Sequence, residues 1–146
     1  MVKIPVNILV VDDEKDFVEM LSLRLQEVGE KVSTAYSGKE CLETLEKTNI
    51  DVVILDIKMP GMDGMETLRE IKKRFPIIEV IMLTGHGSTE TAVEGMKLGA
   101  FDYLMKPADF DDLDAKLEGA RKRKDEQEER IRKAEATLLL RKGGNI

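Results

Sequence analysis

The apolar positions of this chain fall into short unbroken runs separated by longer stretches of helical spacing. Ile8-Leu9-Val10-Val11 is the first run, ended by Asp12-Asp13. Residues 14–28 then place Phe17, Val18, Leu21, Leu25 and Val28 on one helical face, and Gly29 is a natural stop. Lys31-Val32-Ser33-Thr34-Ala35 alternates weakly, as a strand near a sheet edge does. Ser37 can cap a helix over 38–47 that turns Leu42 and Leu45 inward. Val52-Val53-Ile54-Leu55 is an apolar run without alternation, which predicts a strand buried on both faces. It ends on Asp56, and Met59-Pro60-Gly61 turns the chain. Asp63, with Glu66 three residues on, starts a helix near 64–74 that Pro76 ends. Ile77 to Leu83 predicts a fourth strand, and Thr84-Gly85-His86-Gly87 a loop. Ser88 or Thr89 caps a helix over 89–98, closed by Gly99. Ala100 to Met105 predicts a fifth strand, and Asp109 or Asp111 caps a last helix. Five short apolar strands alternating with helices predict right-handed βαβ units and a parallel sheet covered on both faces.

Composition narrows the class. The chain has 146 residues, no Trp, and a formal net charge of −6. Residues 1–108 carry 19 acids against 13 bases, and residues 109–146 carry ten of each. An acidic body argues against direct nucleic-acid binding, which needs surface Lys and Arg against phosphate. The single cysteine, Cys41, excludes an internal disulfide and a cysteine metal cluster, and fits a reducing, cytoplasmic setting. It shares its helical face with Leu42 and Leu45, so it reads as a core or boundary residue. No run approaches a membrane span, and Pro5 and Asn7 interrupt any signal-peptide pattern.

The chemistry gathers at strand ends. In the alternating order the first and third strands should be neighbours, which brings Asp12, Asp13 and Asp56 together. Carboxylates crowded into one crevice repel unless they are protonated or share a cation. Oxygen ligands with room for water suit Mg²⁺ or Mn²⁺. The other strand ends supply the Thr84 hydroxyl and the Lys106 ammonium. A divalent ion, a hydroxyl and a fixed cation around one carboxylate would stabilise a phosphoryl group in transfer. Carboxylates are established nucleophiles of the acyl-phosphate kind.

The segments VVDDE at 10–14, LDIKMPGMDG at 55–64, TGHG at 84–87 and YLMKP at 103–107 together resemble the receiver domain of two-component response regulators, of the chemotaxis-regulator kind. The likeness covers about residues 6–118. It implies a flavodoxin-like, doubly wound five-stranded parallel (βα)5 sheet, with a receiver over 1–118 and a helical charged extension over 119–146. It implies Asp56 as phosphoacceptor, with Asp13, Asp12, Asp56 and the backbone carbonyl of Lys58 around Mg²⁺. Thr84 and Lys106 would contact the phosphoryl group, and the Lys106–Pro107 bond would be cis. Thr84 and Tyr103 would form the switch, acting on a fourth-helix, fifth-strand and fifth-helix surface. Lys58 and His86 occupy the positions that tune phosphate lifetime. The donor would be a sensor histidine kinase or phosphotransfer protein. Such a protein catalyses only its own phosphorylation and dephosphorylation.

A competing reading is a small Mg²⁺-dependent phosphatase using Asp56 as nucleophile. Those enzymes want a second carboxylate two residues later, where this chain has Lys58. After residue 118 the chain is too short for an effector domain, so it reads as a single-domain regulator or as a receiver with a linker. Leu113, Leu117, Ala120, Lys124, Gln127, Ile131, Ala134 and Leu138 follow a 4-3 spacing within a helix over 109–141. This seam predicts a coiled-coil homodimer first and a partner protein's helix second. Residues 143–146, GGNI, are expected to fray.

Overall fold

A computed structural model describes residues 4–144. The chain alternates strictly: β1 (Asn7–Val11), α1 (Lys15–Glu27), β2 (Lys31–Ala35), α2 (Gly38–Lys47), β3 (Val52–Leu55), α3 (Gly64–Arg74), β4 (Glu79–Thr84), α4 (Thr89–Lys97), β5 (Asp102–Met105) and α5 (Phe110–Gly144). The strands form one parallel sheet in the order β2-β1-β3-β4-β5. The weakly alternating second strand is at one edge, as its pattern implied.

Local signals set the helix starts. The Ser37 side chain accepts from the Glu40 N–H, Asp63 from Glu66, and Asp109 from Asp112. Each satisfies an amide that the first helical turn leaves without a partner. Ser88 and Thr91 form a reciprocal capping box on α4.

Two cores flank the sheet because successive strand residues point to opposite faces. Leu9, Val11, Val53, Leu55, Val80 and Met82 pack beneath α2 and α3. Ile8, Val10, Val52, Ile54, Ile81 and Leu83 pack beneath α1 and α5. Cys41 is fully buried in the first core. In α4 only Gly95 is buried, so this helix is the most lightly seated of the layer.

The C-terminal helix departs from expectation. Leu113, Leu117, Ala120 and Lys124, the first half of the proposed seam, are buried at 2%, 0%, 0% and 6% exposure against the chain's own sheet. A 4-3 period reports a stripe that must be covered and does not say by what. Packing therefore continues past residue 118. Lys124 pairs with Asp51 at 3.1 Å and Glu128 at 2.5 Å, and Arg123 pairs with the buried Glu79. Glu79 also meets Lys72 of α3 at 3.1 Å. These ions rim the amino-terminal end of the sheet, opposite the strand ends that carry the predicted site. Beyond this rim the helix is exposed, including Gln127, Ile131 and Leu138. It runs through Gly143 to Gly144 where fraying was expected, and the same expectation for Asn145 and Ile146 lies outside the described residues.

Candidate functional site

The strand order reverses between β1 and β3, and open α/β sheets bind ligands in the crevice at such a point. Register places Val11 beside Leu55, so the next residues, Asp12 and Asp56, emerge together. The Asp56 N–H donates to the Val11 carbonyl at 3.0 Å, and the Asp12 N–H to that of Ala35 at 3.2 Å. Asp12, Asp13 and Asp56 each offer a carboxylate oxygen, and these atoms all lie within 4.8 Å of one another. Asp12 and Asp56 are both 2% exposed, whereas Asp13 faces solvent.

The far side of the crevice comes from β4 and β5. The Lys106 N–H donates to the Thr84 carbonyl at 2.8 Å, extending the ladder by one bond and setting the two residues side by side. Thr84 is fully buried and its hydroxyl accepts from the His86 N–H at 3.1 Å. Lys106 Nζ donates to Asp12 Oδ2 at 2.7 Å and lies 3.9 Å from a Glu14 oxygen. The Lys106–Pro107 bond is cis.

Electrostatics single out Asp56. Burial pushes its carboxyl above the ordinary range, and the neighbouring Asp12 adds to this. A hydrogen bond with Thr84, the charge of Lys106 and the Ile57 N–H oppose the rise without cancelling it. Asp56 Oδ1 is buried with no hydrogen-bond partner. A buried acceptor without a partner costs roughly 1–3 kcal/mol, so such an atom marks a place for a ligand. The donor set is all oxygen and the cluster has one open, solvent-facing member. These features fit a hard divalent cation such as Mg²⁺.

Lys58 and His86 both lie exposed on loops leaving the crevice, after β3 and β4 respectively. Tyr103 is half-buried, and its hydroxyl contacts Thr91 Oγ1 of α4 at 2.8 Å. Gly87 makes room for that hydroxyl, since a Cβ there would overlap it.

A family model described as the response regulator receiver domain matches residues 8–118. The chain belongs to that family. Its receiver is 46% identical over 115 residues to the transcriptional regulatory protein ZraR of Escherichia coli (strain K12), covering 79% of this chain and 26% of that one. The DNA-binding transcriptional regulator NtrC of the same organism is 41% identical over 120 residues, covering 82% and 26%. The chain thus spans about a quarter of the length of these curated relatives. Among solved structures, a response regulator receiver domain protein from Clostridium thermocellum superposes with a TM-score of 0.77 at 46% identity, covering 82% of this chain and 97% of that one. NtrX from Brucella abortus gives 0.79 at 35% identity, covering 86% and 29%. The flavodoxin-like parallel sheet expected from the sequence is the fold these neighbours share with the receiver described here.

Three contributors to the site escaped the sequence reading. Gly64 packs on the end of β3: its N–H donates to the Ile57 carbonyl at 2.6 Å, and a Cβ there would overlap the Asp56 carbonyl oxygen. A glycine at the first position of a helix is poor for helix formation, which was the available signal. Phe17 carries the Lys106 ammonium 3.9 Å above its ring. In sequence it was one more apolar helix residue. Thr91 left no signal beyond its place three residues after a cap.

Proposed function

We propose that this receiver is a phosphorylation-dependent signalling switch that takes a phosphoryl group onto Asp56. The observation that carries this reading is the buried Asp56 carboxylate, one oxygen without a partner, ringed by Asp12, Asp13, Thr84 and Lys106. Asp13, Asp12, Asp56 and the Lys58 backbone carbonyl would hold Mg²⁺. The ion would offset the mutual repulsion of the carboxylates and the charge on the phosphoryl oxygens. An Asp56 carboxylate oxygen attacks phosphorus. The bond from phosphorus to the donor's histidine nitrogen breaks, and that nitrogen keeps the electron pair. Thr84 donates its hydroxyl to one phosphoryl oxygen and Lys106 its ammonium to another. Thr84 and Tyr103 then relay the change to the α4, β5 and α5 surface, where α4 is lightly seated. Lys58 and His86, exposed beside the crevice, set the access of water to the acyl phosphate.

The donor is a sensor histidine kinase or phosphotransfer protein, and catalysis is confined to the chain's own phosphorylation and dephosphorylation. The position two residues after Asp56, where a phosphatase would hold its general acid, carries the Lys58 ammonium. The exposed part of α5, with Ile131, Leu138, Leu139 and Leu140, would pair with a second copy. Sedimentation of the chain cut after residue 128 should show a reduced mass, and an unchanged mass rejects the pairing. No described helix is long and apolar enough to cross a membrane.

Incubation with acetyl phosphate and Mg²⁺ should label the wild type at Asp56 and leave Asp56→Asn unlabelled. A label that survives the substitution overturns the reading.

A further inference from the structure

We propose that Phe17 is a positioning residue for phosphoryl transfer, its ring being the platform that keeps the Lys106 ammonium at the site. This rests on the reading of Asp56 as phosphoacceptor. Among the described residues Lys106 Nζ has three close partners: Asp12 Oδ2 at 2.7 Å, Glu14 Oε1 at 3.9 Å, and the centre of the Phe17 ring at 3.9 Å. The three differ in permanence. Asp12 is one of the three clustered carboxylates, so a cation held there would compete with Lys106 for it. The Glu14 side chain is 60% exposed, so solvent screens it. The ring is left as the partner that neither a metal nor water competes for.

The ring is well placed for this. Phe17 stands in the first turn of α1, directly after the Asp12-Asp13 loop. It packs against the core under α1 and α5, as do Leu104 and Ala108, which bracket Lys106 in sequence. Phe17, Lys106, Pro107 and Phe110 line one surface pocket between α1 and the connection from β5 to α5. Phe17 therefore bridges the two segments that deliver the acids and the lysine. A lysine chain has four rotatable bonds and a compact, strongly hydrated head. Held over a ring face, it keeps few of its rotamers, and its charge is aimed before the phosphoryl group arrives. The side chain is 15% exposed, which lowers solvent competition and strengthens attraction to the ring.

The test uses the full chain as wild type, Phe17→Leu and Phe17→Tyr, each with Lys106 intact and as Lys106→Ala. With acetyl phosphate and Mg²⁺, Phe17→Leu should slow Asp56 labelling about fivefold, the rate equivalent of one partly desolvated cation–π contact. Phe17→Tyr, which restores a ring face, should recover the rate. In Lys106→Ala, Phe17→Leu should bring no further slowing. An equal loss in that background, or no recovery by Tyr, would make Phe17 a packing residue and overturn the proposal. A metal-free readout stands apart from activity. In EDTA the Lys106 methylene protons next to Nζ should show an upfield ring-current shift that Phe17→Leu abolishes and Phe17→Tyr keeps. Unshifted protons in the wild type overturn the proposal whatever the variants do. Failure of Asp56-dependent labelling would instead overturn the phosphoacceptor reading, and the EDTA spectrum would be untouched by it.

Discussion

Replacing Lys124 with Met should weaken the whole domain, although the residue lies at the opposite end of the sheet from the Asp12, Asp13 and Asp56 cluster. Lys124 is 7% exposed at its side chain, with Asp51 at 3.1 Å and Glu128 at 2.5 Å. Burial alone would lower its basicity, yet the Glu128 and Asp51 hydrogen bonds outweigh this and raise it above the ordinary lysine value. The attraction to Asp51 alone is about 5 kcal/mol at an effective dielectric constant of roughly 20. Desolvation of both ions cancels much of that. Breaking a buried pair typically costs about 3–5 kcal/mol. Asp51 is also held by the Asn7 N–H at 2.9 Å, and Glu128 is 31% exposed, so each acid keeps another source of solvation. Methionine preserves the apolar stem. The expected loss therefore falls below that range, at about 2 kcal/mol. With a urea slope of about 2 kcal/mol per molar, the unfolding midpoint should fall by about 1 M. The stability tied to a raised lysine is present below the ordinary lysine value and disappears as pH climbs through the raised one. The gap between wild type and variant should thus hold through neutral pH and close in strong alkali. The double variant Asp51→Asn/Lys124→Met should be less damaged than the sum of its parts by about 1 kcal/mol. A midpoint unchanged by Lys124→Met, or strict additivity in the cycle, would refute the claim that residues 119–128 are part of the folded domain.

Three further outcomes follow from the same geometry. Asp56→Asn should raise the metal-free melting temperature at neutral pH. An acid held above its ordinary range stabilises the fold below its unfolded value and loses that as pH rises, so the gain should vanish in acid; calorimetry in EDTA across pH checks this. Gly64→Ala should destabilise by about 1–3 kcal/mol in urea, against the usual gain from alanine in a helix, because its Cβ meets the Asp56 and Ile57 backbone. Thr91→Val should cost about 1 kcal/mol and speed hydrogen exchange in the first turn of α4, whereas Tyr103→Phe should remove only the hydroxyl contact to Thr91 and leave the cap intact.

The sheet was legible because each strand is short, apolar and bounded by a capping or turning residue. Val52 to Leu55 lacks alternation since both its faces are covered, and Asp56 follows as the first residue that a crevice can use. The strand-end residues Asp12, Asp13, Thr84 and Lys106 were legible for the same reason: parallel order decides which ends meet. The ion pairs at the opposite end of the sheet were not. Lys124 in an apolar stripe reads as a weak seam position until Asp51, seventy-three positions earlier, is known to face it. The same holds for Glu79, whose partners Lys72 and Arg123 lie on two different helices. Pairings between distant segments leave no period in a sequence. Phe17 and Gly64 were visible as an apolar residue and a glycine at a helix start, and only the close approach of another backbone or side chain gives them a role.

Cys41, the chain's one thiol, is sealed in the sheet's first core with its ionisation pushed up to about 12. Alkylation needs the thiolate as nucleophile, so at neutral pH this sulfur is effectively inert while the fold is intact. A cysteine introduced at an exposed position such as Leu139 can therefore take a fluorophore or spin label with the native residue left in place. The natural sequence is already a single-label background for measuring where the projecting helix points and whether it meets another.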